Sequence, residues 1–255
     1  MNTIFKTNDD LKKNDFFIFL PKTYKIAPIN ISDICKFEDL KEITSQKQVL
    51  LKNTLNFSGN VLLWGAKGMG KSTLVKSVIK YINIRYKKNY KLIEILNNNI
   101  GDLTEIVYEL SKLNSKFIIF IDDISFRNNE DNFMYFKSLI EGSLLSHISN
   151  VKYYVTSNLR HLSHLGADSK FNDIEEKEAS QNLVSLSDRF ESWIGFYDSN
   201  QEQYLNMVKH YSKKASIEYS KELEKLAIQW SLEKGNFSGR SSYQFIKKFK
   251  KKTKS

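Results

Sequence analysis

"NVLLWGAKGMGKSTLVKSVIKYI" (Asn60–Ile82) packs three of the chain's ten glycines into six residues and follows them with a Lys-Ser pair. The opening apolar run, Asn60–Trp64, reads as a short buried strand stopped by glycine. The closing part, Lys71–Ile82, sets Leu74, Val75, Val78, Ile79 and Ile82 on one helical face. Between them, Gly65, Gly70, Lys71 and Ser72 fit G-x-x-x-x-G-K-[ST], in the strand-then-helix context a phosphate-binding loop requires. Glycines let the backbone bend until successive N–H groups point inward at a polyphosphate. The helix N-terminus adds partial positive charge. Gly65, Ala66, Lys67, Gly68, Met69, Gly70, Lys71, Ser72 and Thr73 are therefore the expected nucleotide-binding residues. Lys71 would reach the β- and γ-phosphates of ATP, and the Ser72 hydroxyl would ligate Mg²⁺.

Outward from this loop the chain alternates. Lys91–Leu96, Phe117–Ile121, Val151–Ser157 and Trp193–Phe196 read as strands, and Asp102–Leu113 and Asn132–Leu145 as helices, with Asp102 a candidate N-cap. "FIIFI" (Phe117–Ile121) is apolar at every position, as in a strand covered on both faces. Alternation of this kind predicts a parallel sheet with helices on both sides. After Phe196 the pattern becomes three helices, over Glu202–Tyr211, Ser220–Gly235 and Ser238–Phe249, with Gly235 as a C-terminal cap and Ser238 as an N-cap. A further helix is expected between Ile29 and Asn56. Both prolines, Pro21 and Pro28, precede residue 30, and residues 1–27 read as an N-terminal extension. The expected division is thus 1–27, a nucleotide-binding domain over 28–197, and a helical region over 198–255. An irregular segment, 161–186, carries an acidic stretch at Asp173–Glu178; a loop of that length is unusual inside a compact domain.

A phosphate loop needs an acid on a neighbouring strand to orient its metal. Asp122 lies just past the third strand and would hold Mg²⁺ through water; Asp123 follows and would orient or deprotonate an attacking water. "YYVTSN" (Tyr153–Asn158) ends the fourth strand in Thr156, Ser157 and Asn158, where a polar group reaches between the acids and a γ-phosphate. The chain uses lysine freely and only five arginines: Arg85, Arg127, Arg160, Arg189 and Arg240. A planar guanidinium that keeps its proton suits charge developing on a transferred phosphoryl group, which makes Arg189 and Arg240 candidates and Arg160 a weaker third. His161 and His164 show no metal-ligand partners and read as loop residues.

The 255 residues carry a net charge of +10, are 41% hydrophobic and contain one cysteine, Cys35. An internal disulfide is excluded, and the apolar fraction is sufficient for a folded core. "FFIFL" (Phe16–Leu20) follows acids and is too short for a signal core or a membrane span. The expectation is a soluble, cytoplasmic protein. Much of the basic excess sits in "IKKFKKKTKS" (Ile246–Ser255), which reads either as a solvated tail or as a patch for nucleic acid or another polyanion.

The series "LLWGAKGMGKSTLVK", "FIIFIDDISF", "TSNLRHL", "SLSDRFESWIGFY" and "GNFSGRSSYQF" resembles the AAA+ ATPase superfamily. It is similar, more narrowly, to a bacterial family of AAA+ ATPases catalogued as a domain of unknown function, over roughly residues 30–249. The resemblance implies a three-layer αβα P-loop NTPase fold with a five-stranded parallel sheet and a helical lid. It also implies a Walker A loop at Gly65–Ser72, a Walker B pair at Asp122–Asp123, sensor 1 at Asn158, an arginine finger at Arg189 acting on a neighbouring subunit, and sensor 2 at Arg240. The superfamily commonly works as rings or filaments, so the resemblance also implies a homo-oligomer in which that finger acts in trans. The superfamily usually has Glu as the second Walker B acid; here Asp123 is one methylene shorter, and a misplacement of about 1.5 Å can cost on the order of 100-fold in rate.

The leading expectation is an ATPase coupling nucleotide state to lid and subunit movement. The alternative is a nucleotide-gated loader or binding module with slow hydrolysis, whose basic tail meets a protein or nucleic-acid client. A small-molecule kinase would need an acceptor pocket, of which the sequence carries no signature.

Overall fold

The computed structural model describes residues 4–5, 8–124, 130–141, 143–158 and 189–252. Arg127, Arg160, His161, His164 and the 161–186 segment with its acidic stretch lie outside the described residues.

After a short helix, α1 (Asn8–Lys13), a single sheet organises the described residues. Its strands are β1 (Phe16–Leu20), β2 (Lys25–Pro28), β3 (Val61–Gly65), β4 (Tyr90–Glu94), β5 (Lys116–Ile121), β6 (Val151–Ser157) and β7 (Ser192–Phe196), in the order β2-β1-β4-β5-β6-β3-β7. Every neighbouring pair is parallel except β1 with β2. The expected five strands are present as β4-β5-β6-β3-β7, but among the described residues the sheet has seven. The residues from Phe16 to Pro28 supply the other two, with Phe17 opposite Ile93 and Phe19 opposite Ile26. The prolines that made this stretch read as an arm are accommodated there: Pro21 opens a one-turn 3-10 helix and Pro28 ends the edge strand.

Side chains alternate across the sheet, so each buried strand feeds two cores. On one face Val61, Leu63, Ile118, Phe120, Tyr154 and Phe196 pack against α2 (Thr44–Asn56) and α3 (Lys71–Arg85). On the other, Leu62, Trp64, Phe117, Ile119, Ile121 and Val155 pack against α4 (Leu103–Ser111) and α5 (Glu130–Glu141). This is a three-layer αβα sandwich. Each side chain taken fully out of water contributes about 1.5–3 kcal/mol before entropy is counted, which is why β3 and β5 tolerate no polar residue in their interiors.

Two local expectations change. The stretch from Ile29 to Asn56 is helical only from Thr44 onward; ahead of it, Phe37–Asp39 makes a 3-10 turn and the rest is irregular. Asp102 does precede α4, but its backbone is already helical and its side chain makes no cap bond, because a 3-10 helix at Asn97–Asp102 runs into α4.

The C-terminal helices are α6 (Gln201–Ala215), α7 (Lys221–Glu233) and α8 (Gly239–Lys252). Asn200 and Gln203 form a reciprocal capping box at α6, and Ser220 caps α7. Gly235, with φ of 73°, ends α7 in the left-handed region, and the Ser238 hydroxyl accepts from the Ser241 amide at the start of α8. Tyr204, Met207, Val208, Leu223, Ala227, Phe245 and Ile246 give these helices an apolar core of their own. Among the described residues, no helix is long and apolar enough to cross a membrane.

Within that core the Tyr204 hydroxyl donates to the Ala227 carbonyl, and burial pushes its pKa up to about 12. The neutral form is the one the fold favours, so this contribution is complete below pH 10 and lost as pH rises from 10 through 12. Chemical denaturation at about pH 9 and about pH 11.5 should show a loss of stability that Tyr204→Phe makes smaller.

Candidate functional site

Parallel pairing brings three strand ends level. Trp64 of β3 lies opposite Ser157 of β6, and Ile121 of β5 opposite Val155 of β6. The glycine loop, the acid pair and Asn158 therefore leave the sheet at one edge, the carboxyl edge where ligands of open α/β sheets gather.

The loop leaves β3 at Gly65, whose φ of 112° suits glycine; a Cβ there would fall 2.1 Å from the Phe196 carbonyl oxygen. The Ala66 amide donates to that same oxygen at 2.7 Å, tying the loop to β7. Gly68 makes the second close approach: a Cβ would sit 3.0 Å from Ser238 Oγ, and the Gly68 carbonyl accepts from the Arg240 amide at 3.1 Å. The loop thus touches the start of α8 backbone to backbone. Met69 is buried and takes a 3.7 Å contact from Ser199 Oγ on its sulfur, while Lys67, Gly70 and Thr73 line the cleft.

Lys71 stands at the first position of α3, and its side chain is buried. Its Nζ donates to the Gly65 carbonyl (2.7 Å), the Ala66 carbonyl (2.8 Å) and Asn158 Oδ1 (2.9 Å). The Ser72 hydroxyl donates to Asp122 Oδ1 at 2.5 Å, and Thr156 Oγ1 donates to the same oxygen at 2.6 Å. Asn158 Nδ2 donates to Asp123 Oδ1 at 2.5 Å. Lys71, Asn158 and Asp123 form one hydrogen-bonded chain, and Ser72, Asp122 and Thr156 form a second beside it. Asp123 joins the two, because its amide donates to Thr156 Oγ1 at 2.7 Å.

A cleft of about 950 Å³ opens over this set. Its floor is the glycine loop and the acid pair. One wall is the irregular segment before α2, including Ile34, Cys35, Leu40 and Ile43; the facing wall is Met207 and Tyr211 of α6 with Arg240, Tyr243 and Lys247 of α8. Lys36, Lys41, Lys67, Lys71, Lys214, Arg240 and Lys247 outnumber Asp33, Asp122 and Asp123 around it, so the cleft is electropositive. Asp39 bridges the two walls. It accepts from Lys214 Nζ, and its other oxygen lies 3.3 Å from His210 Nε2. Burial pushes Asp39 up, but the Lys214 bond and charge outweigh it and leave the carboxyl below its usual range. Lys214 is raised, mainly by the same hydrogen bond.

Arg240 reaches the cleft; Arg189 does not. Arg189 precedes β7, and its carbonyl accepts from Asn60 Nδ2 at 3.1 Å. Asn60 precedes β3, which places Arg189 at the opposite end of the sheet from the glycine loop, about 16 Å away along a five-residue strand. Sequence reading missed Asn97, the cleft wall before α2, and Met207, Tyr211 and Tyr243. Asn97 Nδ2 donates to the carbonyls of Asp123 (2.9 Å) and Asp122 (3.4 Å). The run "NNN" (Asn97–Asn99) after a strand was a signal for it.

Ser72 Oγ and Asp122 Oδ1 offer hard oxygen donors, while the described residues contain no group of three or more His, Cys, Asp or Glu side chains able to hold a metal. That set fits Mg²⁺, which takes one or two protein oxygens and completes its shell with water and phosphate.

Comparison with known proteins places this architecture. A replication initiator DnaA solved with AMPPCP and single-stranded DNA superposes with a TM-score of 0.58 at 17% identity, covering 84% of this chain and 64% of that one. A DNA replication initiation factor gives 0.55 at 17%, with 84% and 64% covered. A variant of Thermotoga maritima RuvB gives 0.52 at 16%, with 80% and 59% covered. The chain spans about three fifths of these proteins' lengths, and at such identities the likeness is one of fold: the AAA+ type of P-loop NTPase. No curated protein matches the sequence. A protein family does, over residues 12–253, taking in β1 and β2 as well as the glycine loop and α8. The chain therefore belongs to the family described as Protein of unknown function (DUF815), built on an AAA+ fold.

Proposed function

We propose that the protein binds Mg-ATP in this cleft and hydrolyses it to ADP and phosphate, coupling nucleotide state to movement of its C-terminal helices and of neighbouring subunits. The observation that carries the reading is the joining of Lys71, Ser72, Asp122, Asp123 and Asn158 into one hydrogen-bonded assembly under an electropositive cleft. Fold alone would not specify it. The solved DnaA relative, which carries AMPPCP, supports it at the level of fold.

In this reading the amides of Gly65–Gly70 enclose the phosphates, and Lys71 exchanges its carbonyl partners for phosphate oxygens. Ser72 and Asp122 hold Mg²⁺, which when bound neutralises charge on the β- and γ-oxygens. Asp123 orients the attacking water and takes its proton, and Asn158 keeps the Asp123 carboxylate aimed. Residues 28–197 are the nucleotide-binding body and 198–255 the lid. Arg240 reports nucleotide state to the lid, since the same residue touches the loop through its amide. Arg189, at the far end of the sheet from its own cleft, serves the cleft of an adjacent subunit in a ring or filament.

A second reading has its own observation. α8 carries Arg240, Lys247, Lys248, Lys250, Lys251 and Lys252 without one acid, with Tyr243 exposed among them. Such a face suits a nucleic-acid backbone, and the DnaA relative was solved with single-stranded DNA.

Saturating Mg-ATP should raise the melting temperature, with about 2.7 kcal/mol of stabilisation at roughly 100 times Kd. Lys71→Ala should abolish the shift, while Asp123→Asn should keep it and lower hydrolysis by about 10²–10⁴-fold. Unchanged hydrolysis in Asp123→Asn removes Asp123 from the mechanism. Light scattering after size exclusion should show a larger species with ATP than with ADP, and Arg189→Ala should keep ATP binding but lose ATP turnover in that species. For the second reading, binding of a fluorescent oligothymidine should weaken steeply with salt. Removing residues 247–255 should then flatten the log–log slope by about 0.7 for each phosphate that the tail neutralises. No binding at low salt rejects that reading.

A further inference from the structure

Asp123 stands one carbon short of the acid that usually follows an aspartate at this place in the fold, and a shorter side chain on the same backbone leaves the carboxylate about 1.5 Å back. The backbone decides where that carboxylate goes. Asp123 has a φ of 55°, in the left-handed region, where non-glycine residues are uncommon and aspartate is several-fold enriched. Residues held there persist where their surroundings over-determine them.

Those surroundings are explicit. Thr156 is 1% exposed, and its hydroxyl has one proton and lone pairs to use. The proton goes to Asp122 Oδ1 at 2.6 Å, and a lone pair takes the Asp123 amide at 2.7 Å. The Thr156 carbonyl takes the next amide, Ile124, also at 2.7 Å. From the opposite flank, Asn97 Nδ2 holds the Asp123 carbonyl at 2.9 Å. Both peptide groups around Asp123 are pinned: the one before it by the Thr156 hydroxyl, and the one after it by the Thr156 carbonyl and by Asn97, which opens the 3-10 helix after β4. The outcome is a carboxylate whose Oδ1 meets Asn158 Nδ2 while Asn158 Oδ1 meets Lys71.

The geometry points to Thr156, assisted by Asn97, as a positioning residue: it locks Asp123 in a left-handed turn that carries its short carboxylate to Asn158 on the floor of the cleft. This rests on the hydrolysis proposed above and adds the reason an aspartate suffices. Valine at 156 keeps the shape and removes both hydroxyl bonds; serine keeps both. Glutamate at 123, on the same locked turn, overshoots.

The test uses the full chain. Steady-state hydrolysis by Thr156→Val should show kcat lowered about 100-fold with KM within about threefold of wild type, the split expected for a group misplaced by roughly an ångström. Thr156→Ser should recover most of the rate, and Asp123→Glu should be slower than wild type. In the nucleotide-free protein, the amide–Hα coupling and carbon shifts of Asp123 should leave their left-handed values in Thr156→Val and keep them in Thr156→Ser. If Thr156→Val does not fold, Asn97→Ala removes the opposite restraint and should give the same split. Wild-type turnover in Thr156→Val, equal loss in the valine and serine variants, or an Asp123→Glu faster than wild type overturns the proposal alone. A wild-type protein without turnover overturns the hydrolysis reading and this proposal with it.

Discussion

Three parallel strands have to end level for this site to exist. β3, β5 and β6 are adjacent in the sheet, and their register sets the glycine loop, the acid pair and Asn158 side by side although almost a hundred residues separate the first from the last. A slip of one residue in β6 would turn Thr156 and Asn158 away from the acids, since side-chain direction alternates along a strand. β6 itself resists that slip: Val151, Tyr153 and Val155 fill one core and Tyr154 the other, where its hydroxyl donates to Asn53, and a shift would exchange these sets. Hydrophobic packing thus acts on the chemistry through register.

The same loop that would enclose phosphate also ties the sheet to the C-terminal helices. The Gly68 carbonyl accepts the Arg240 amide, and Asp39 joins the segment before α2 to Lys214 on α6. The first joins the cleft's floor to one wall and the second joins its two walls; both are polar and partly exposed, unlike the separate apolar cores on either side. Polar links of that kind break and reform at small cost, whereas packed cores move as bodies. The construction is compatible with the lid movement proposed above.

The acid turn is the most constrained point in the site. Thr156, Asn97 and Asn158 together take up the amide, carbonyl and carboxylate of Asp123. Few donors and acceptors there remain to be satisfied by water, so the turn is set before any ligand arrives. Preorganisation of this sort costs folding stability locally and, in the proposed hydrolysis, saves reorganisation at the moment of reaction.

Much was legible in the chain itself. The glycine loop with its flanking strand and helix, the acids after "FIIFI", Asn158 and the three capped C-terminal helices all follow from local rules: period, turn chemistry and motif spacing. What local rules missed is non-local. "FFIFL" became a sheet strand because Phe17 pairs with Ile93, and the segment before α2 became a cleft wall because α6 and α8 face it. Asn97 gained its role from an acid turn 25 residues away. Arg189 and Arg240 were both candidates from sequence, but only Arg240, on α8, lines the cleft, while Arg189 precedes β7 at the far end of the sheet. The amino-acid order determined which groups could do chemistry; the parallel sheet decided which of them meet, because adjacency between strands is settled by burying both faces of the whole sheet and not by any one stretch of it.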